Sequence, residues 1–152
     1  VLLPKTAEKI LLVQKDLLKQ GYSLKIWDAY RPESAQDVLK KYAKENGIPD
    51  VYFADDSKHS KGTAVDVTLV NAESGMPIEM PSDFDDFTGK GNRGSKMSAE
   101  AAANLKILTD TMKKYGFRCI NIEWWHYDLP NTLSYPSFDY DLAKTFPDWI
   151  IE

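Results

Sequence analysis

The chain has 152 residues, 43% of them hydrophobic and 28% charged, which is the balance of one ordinary globular domain. The net charge is -4 with basic residues scattered along the chain, so the composition argues against a nucleic-acid-binding protein. One cysteine, Cys119, rules out an intrachain disulfide, and no apolar run approaches the roughly 18 residues of a membrane-spanning helix.

The first part of the chain predicts a helix, a strand and a second helix. Apolar residues at helical spacing between Thr6, a candidate N-cap, and Gly21 predict a helix over about residues 6–20. Alternating apolar and polar residues predict a strand over residues 22–30, and Pro32 then opens a helix that ends at Gly47. We expect the inward faces of the two helices to contain Ile10, Val13 and Leu17, and Ala35, Val38, Leu39 and Tyr42.

The rest of the chain predicts a strand, a long loop, a helix and two closing strands. The strand covers residues 63–70 and the loop, rich in Gly, Pro, Ser and Asp, covers residues 71–97. Ser98 caps a helix to about residue 115, and its expected inward residues are Leu105, Leu108 and Met112. The closing strands cover residues 117–122 and 124–129 and are expected to be antiparallel. Helices lie between strands without a regular βαβ rhythm, so we predict one α+β domain over residues 1–152.

The only two histidines lie beside acidic residues in two separate motifs. The first motif is Ser57-Lys-His59-Ser-Lys-Gly-Thr-Ala-Val-Asp66, and the second is Glu123-Trp-Trp-His126. Catalytic zinc sites commonly use three nitrogen or oxygen ligands and keep a fourth position for water, whose pKa falls to roughly 7. We therefore predict one Zn²⁺ per chain; the alternative is a surface histidine beside a solvated aspartate.

Two further residues could serve such a metal site. Glu123 precedes His126 by three residues and is predicted to move a proton from the water to the leaving amine. If Glu123 were a fourth ligand, the site would be structural instead. Arg31, held extended by Pro32, could stabilise an oxyanion or could form a salt bridge to Asp28 or Glu33, and the residues alone do not decide between these roles.

A glycine-rich run over residues 89–96 resembles a phosphate-binding loop in composition. Its serine and lysine stand in the wrong order, no strand leads into it, and no helix follows immediately. We interpret it as a flexible loop.

Four sequence pieces follow one another along the chain: Asp28-Ala-Tyr-Arg-Pro32, Ser57-x-His59-x-x-Gly-x-Ala-x-Asp66, Phe84-Asp85 and Glu123-Trp-Trp-His126. Together they resemble the D-alanyl-D-alanine dipeptidases, the VanX-type zinc peptidases. These enzymes share a fold with peptidoglycan D,D-carboxypeptidases, and Hedgehog amino-terminal domains keep the same zinc fold. The resemblance runs from about residue 5 to residue 140 and lacks the amino-terminal part of the family pattern.

The resemblance implies a small, mostly antiparallel sheet packed with helices and a hydrolase that cleaves D-Ala-D-Ala into two D-alanines. It implies Glu123 as the general base and Arg31 as the stabiliser of the transition state. It also implies that Ser57 and Asp85 bind the dipeptide, Asp85 by pairing with its ammonium group. The zinc ligands that it implies are His59, Asp66 and His126.

Two other functions stay open at this point. One is a D,D-carboxypeptidase acting on peptidoglycan stem peptides, although Phe84-Asp85 and the doubled Trp124-Trp125 favour the dipeptidase. The other is a non-catalytic zinc-containing binding module, against which Arg31 and Glu123 argue. The expected partner is a small dipeptide, and the expected location is a bacterial cytoplasm or cell envelope. Because the sequence begins at Val1 without a signal-like segment, we expect that any targeting signal has been removed.

Overall fold

The computed structural model describes residues 1–145, and these form an α+β fold, as predicted. Residues 146–152, the end of the predicted domain, lie outside the described part. A short 3-10 helix at Asp50–Tyr52 follows the second helix. In chain order, the other elements are α1 (Pro4–Leu18), β1 (Tyr22–Asp28), α2 (Glu33–Glu45), β2 (Ala64–Asn71), α3 (Ala99–Lys114), β3 (Arg118–Cys119), β4 (His126–Asp128) and α4 (Leu142–Thr145).

The four strands form one antiparallel sheet in the order β1-β2-β4-β3. Strand β2 lies between β1 and β4, and its residues 64–69 are all buried. The pairing of β2 with β4 sets Asp66 opposite His126. The register of β1 on β2 is regular up to Ile26 and shifts before Asp28, which is also paired with Asp66. The sheet therefore brings the predicted acidic ligand and one predicted histidine side by side.

Helices α1 and α3 cover the sheet with the faces that their apolar spacing predicts. The predicted inward residues of both helices are buried, and they form one core with the apolar residues of β2. Ser98 caps α3 as predicted, since its hydroxyl accepts a hydrogen bond from the backbone N–H of Ala101. The predicted N-cap of α1 is wrong, because α1 begins at Pro4 and Thr6 is completely buried within its first turn. Proline suits this position because its ring presets the helical φ and it has no N–H to satisfy.

The predicted inward face of α2 is wrong in part. Val38 and Tyr42 are 67% and 57% exposed, whereas Gln36 and Ala43 are buried. The reason is that α2 packs mainly against the short 3-10 helix at Asp50–Tyr52. Its inner side is partly polar, as the Gln36 side chain donates a hydrogen bond to the backbone oxygen of Ala54.

Residues 72–97 contain no helix or extended strand, as predicted, apart from one bridge between Val70 and Pro77. The closing strands are antiparallel as predicted but much shorter, because residues 120–125 are irregular. None of the helices within residues 1–145 is both long and apolar enough to span a bilayer.

Candidate metal centre and active site

Three predicted ligands converge at the buried end of the sheet. The metal-binding atoms of His59, Asp66 and His126 all lie within 4.8 Å of one another. The Nδ1 atom of His126 is 3.0 Å from Oδ1 of Asp66, and Nε2 of His59 is 3.5 Å from Oδ2 of the same carboxylate. Two imidazole nitrogens and one carboxylate oxygen are a donor set that zinc commonly uses in catalytic sites. The geometry and chemistry of this cluster therefore suit a divalent metal ion.

The residue that follows strand β1, Ala29, orients the ring of His59 through a hydrogen bond. The Nδ1 atom of His59 lies 2.9 Å from the backbone oxygen of Ala29, so this nitrogen is the donor and Nε2 is left to bind. The backbone N–H of Arg31 donates to the backbone oxygen of His59, which ties the two motifs together. Before β2, Gly62 adopts a φ of 64°, and a side chain there would press against the backbone of Leu3.

Asp128 is a residue that the sequence analysis missed. Its Oδ2 atom lies 3.7 Å from Nε2 of His126, on the side of the ring away from Asp66. Its Oδ1 atom forms salt bridges to Lys58 at 2.8 Å and Arg118 at 3.0 Å. A carboxylate behind a ligating histidine orients the ring and increases its basicity. The available signal was the spacing His126-x-Asp128, because alternate residues of a strand face the same side.

Electrostatics in the cluster follow from burial and from the mutual pairing of its charges. Burial alone would raise the pKa of Asp66, but His59 and His126 hold it well below its usual range. Burial alone would lower the pKa of His126, but Asp128 and Asp66 raise it to about 9. In the metal-free protein His126 is therefore a cation at neutral pH, and a metal ion must displace its proton.

Glu123 lies beside the cluster without belonging to it. Its Oε2 atom is 4.0 Å from Nδ1 of His126, and its side chain is 13% exposed. Within residues 1–145, the converging ligand atoms come from the two histidines and Asp66. Burial raises the pKa of Glu123 to about 7, helped by Asp66 and Asp85 and opposed by the histidines. A carboxylate with a pKa near neutrality is suited to both accepting and returning a proton.

Arg31 forms a salt bridge to Asp28 and also lies beside the cluster of candidate ligands. Its Nε donates to Oδ2 of Asp28 at 2.7 Å, so of the two salt-bridge partners considered it binds Asp28. Its Nη1 donates to the side chain of Gln36 at 2.7 Å, while Nη2 lies 3.9 Å from Oδ2 of Asp66. The Asp28 salt bridge therefore orients the guanidinium toward the cluster, and the two roles are compatible.

The predicted substrate-binding residues lie on two sides of the cluster. Ser57 is buried and borders a cavity of about 400 Å³ together with Arg31, His59 and His126. Asp85 is exposed and borders another cavity, so within residues 1–145 the two do not share one.

Asp85 has a strained backbone with a φ of 57°, which is unusual for a residue other than glycine. Partial burial of its carboxyl group raises its pKa to about 6, with a contribution from Asp66, and solvent around this exposed residue moderates the effect. The preceding Phe84 stacks on Trp27 with ring centroids 4.6 Å apart and meets the edge of Trp125. This aromatic packing holds the Phe84-Asp85 pair next to the cluster.

Both tryptophans of the Glu123-Trp-Trp-His126 motif are buried. Trp124 donates its indole N–H to Ser82 and borders a surface cavity, whereas Trp125 packs against Gly91. They fix the segment that contains Glu123 against the core.

The chain is similar in sequence to known proteins. The sequence profile of a family described as D-Ala-D-Ala dipeptidase matches residues 2–151. A D-alanyl-D-alanine dipeptidase of Enterococcus faecium is 31% identical over 89% of this chain and 75% of its own length. Similar enzymes of Enterococcus faecalis and Escherichia coli are 34% and 36% identical, over 72% and 76% of this chain. The matched regions span less than two thirds of these last two relatives, 63% and 60% of their lengths.

Proposed function

The chain belongs to the D-Ala-D-Ala dipeptidase family of metallopeptidases, and we propose that it hydrolyses the dipeptide D-Ala-D-Ala to two D-alanines. We propose that it does so with one zinc ion per chain. The observation that supports this most strongly is the convergence of His59, Asp66 and His126 next to a carboxylate, Glu123, that is not part of the cluster.

The residues of the cluster fit zinc. They would hold the ion through Nε2 of His59, Nδ1 of His126 and one oxygen of Asp66. When bound, zinc supplies a Lewis acid that polarises the peptide carbonyl and lowers the pKa of a water molecule. The chain's contribution is a largely buried and oriented set of donors, in which Ala29 and Asp128 orient the two imidazole rings.

Glu123 is the proposed general base and acid. Burial raises the pKa of Glu123 in the metal-free protein, and the positive charge of a bound metal ion would favour its carboxylate form, so Glu123 would be ready to accept a proton. It accepts the proton of the attacking water and then donates it to the nitrogen of the leaving D-alanine. Its position outside the three-residue cluster supports this role over that of a fourth ligand.

Arg31 is the proposed stabiliser of the oxyanion that develops on the substrate carbonyl. Asp28 and Gln36 hold its guanidinium in place, so the cation does not have to reorganise during the reaction. Its charge stays fixed, because an arginine in a protein does not lose its proton.

Ser57 and Asp85 are the proposed contacts to the ends of the dipeptide. Asp85 offers a carboxylate to the free ammonium group, and this charge-assisted hydrogen bond would favour a dipeptide over a longer stem peptide. Partial burial raises the pKa of Asp85, with smaller contributions from Asp66 and Asp28, and a substrate ammonium would favour its charged form. This feature distinguishes the dipeptidase from a D,D-carboxypeptidase.

The direct test is release of free D-alanine from D-Ala-D-Ala by the purified protein, before and after treatment with a chelator. We expect turnover that the chelator abolishes and that added zinc restores. A protein that binds zinc but releases no D-alanine from the dipeptide or from longer stem peptides would instead be a binding module, and release from stem peptides alone would identify a D,D-carboxypeptidase.

A further inference from the structure

The segment that contains Glu123 has no regular secondary structure of its own. Residues 120–125 lie between β3 and β4, and their backbone groups need partners elsewhere. Many of these partners come from two residues, Gly91 and Arg93, in the glycine-rich run that the sequence suggested to be a flexible loop. The backbone N–H of Trp124 donates to the oxygen of Gly91, and the backbone N–H of Arg93 donates to the oxygen of Asn121. This part of the run is therefore firmly bound, which corrects the interpretation of a flexible loop.

The guanidinium of Arg93 completes this connection on both sides of Glu123. Its Nε donates to the backbone oxygen of Ile120 at 2.8 Å, and its Nη2 donates to that of Trp124 at 2.6 Å. Its Nη1 donates to Oγ1 of Thr109 on α3 at 2.8 Å, and the cation lies 4.8 Å from the ring centroid of Tyr127. One side chain with a planar, rigid guanidinium thus joins the two ends of the segment to α3 and to β4.

Gly91 adds a steric requirement at the same place. A Cβ atom at this position would lie 2.8 Å from the backbone oxygen of Asp86 and 2.9 Å from the ring of Trp125. Gly91 therefore lies between Asp86, the neighbour of Asp85, and Trp125 of the Glu123-Trp-Trp-His126 motif. In the same run, a Cβ atom at Gly94 would meet nothing within 4 Å.

We propose that Arg93 is a positioning residue that holds Glu123 at its working distance from the His59–Asp66–His126 cluster, with Gly91 as its steric partner. This inference rests on the proposed function for the role of Glu123. Arg93 does not touch the cluster in the structure, and its side-chain hydrogen bonds go to the Glu123 segment and α3. Its substitution should therefore affect the proton transfer step without affecting zinc content.

A double-mutant cycle between Arg93 and Glu123 tests this coupling. Arg93→Met keeps the aliphatic stem but removes the donors, and Arg93→Lys keeps the charge but cannot bridge three acceptors. We expect each to lower kcat about 10- to 100-fold with little change in KM and a full complement of zinc, as small misplacement of a catalytic group has such effects. In a Glu123→Ala background the same substitutions should cause no further loss. Losses that multiply in the double variants would overturn the proposal, because independent sites contribute additively in free energy.

Hydrogen exchange gives a second measurement that does not depend on turnover. In the zinc-loaded protein, Arg93→Met and Arg93→Lys should speed exchange of the Trp124 amide while the amides of α1 keep their protection. Unchanged exchange at Trp124 would overturn the positioning role, even if the wild type proved inactive on D-Ala-D-Ala. If the wild type is inactive on D-Ala-D-Ala but the Trp124 amide exchanges faster in the variants, the proposed function is contradicted and the positioning role of Arg93 is not.

The glycine pair supplies a matched control. Gly91→Ala should lower kcat as Arg93→Lys does, because the Asp86 backbone and the Trp125 ring must both move to accept the methyl group. Gly94→Ala should leave kcat, zinc content and Trp124 exchange at wild-type values. Equal effects of the two alanine substitutions would contradict a specific role for Gly91.

Discussion

The Nδ1 atom of His59 lies 2.9 Å from the backbone oxygen of Ala29, the residue that directly follows strand β1. Because a backbone carbonyl only accepts, this contact assigns the proton to Nδ1 and directs the free electron pair of Nε2 at Asp66 and His126. The end of one strand thus determines which histidine nitrogen can bind a metal. Arg31 follows two residues later, so the same chain segment also places the cation.

The first prediction concerns the metal content. We expect one zinc per chain by elemental analysis, and we expect His59→Ala and His126→Ala to retain little metal because each leaves only two ligands. The measurement is zinc stoichiometry after dialysis against metal-free buffer. Full zinc occupancy together with full turnover in either variant would remove this cluster from the reaction.

The second prediction separates a base from a ligand at Glu123. Glu123→Ala should bind zinc as the wild type does, because the three ligands are untouched. Its kcat should fall by at least about 10²–10⁴-fold, the usual contribution of general acid–base catalysis. Loss of zinc from this variant would identify Glu123 as a ligand and the site as a structural one.

The third prediction concerns the carboxylate behind His126. Asp128→Asn keeps the shape of the side chain but removes the charge that orients the ring. We expect zinc affinity to fall about 10- to 100-fold, as is typical for loss of such a partner. Competition with a chelator of known affinity measures this. Asp110→Asn, at a well-exposed carboxylate on α3, should leave the affinity unchanged.

Much of the fold was predictable because α1 and α3 bury one apolar face each, and such faces leave a helical spacing in the sequence. The same reasoning failed for α2. Val38 and Tyr42 are exposed there because α2 packs on the short 3-10 helix at Asp50–Tyr52, and the partner of a helix is not encoded in its own spacing.

The candidate ligands were predictable because the chain has only two histidines, each beside a carboxylate. Asp128 was missed although its spacing from His126 on the same strand was visible in the sequence. Arg93 was missed because its contacts join segments far apart in the chain, as when it binds the backbone of residues 120–124. Such polar contacts leave no periodic signal around the residue itself.

The fourth prediction concerns pH. His126 has a pKa of about 9 in the folded metal-free protein, above its ordinary 6.5, so the stability it contributes is complete below pH 6.5 and is lost as the pH rises through 9. Zinc must displace this proton, so its affinity should rise about tenfold per pH unit between these values. Chelator competition and thermal unfolding at pH 6.5 and 9 measure both effects. An affinity independent of pH would contradict a protonated His126 in the metal-free state.

The most direct test of the proposed dipeptidase activity is whether the enzyme requires a free amino group on its substrate. Asp85 would bind the ammonium group by a charge-assisted hydrogen bond, and acylation of the amine would leave the carboxylate without its partner.

The measurement is kcat/KM for D-Ala-D-Ala and for N-acetyl-D-Ala-D-Ala, in the wild type and in Asp85→Ala. We predict efficient cleavage of the free dipeptide and almost none of the acetylated one by the wild type. Asp85→Ala should keep its zinc and lose roughly 10- to 150-fold on the free dipeptide, since a hydrogen bond to a charged group contributes about 1.5–3 kcal/mol. Equal cleavage of both substrates by the wild type would contradict the role of Asp85 and would make the protein a D,D-carboxypeptidase.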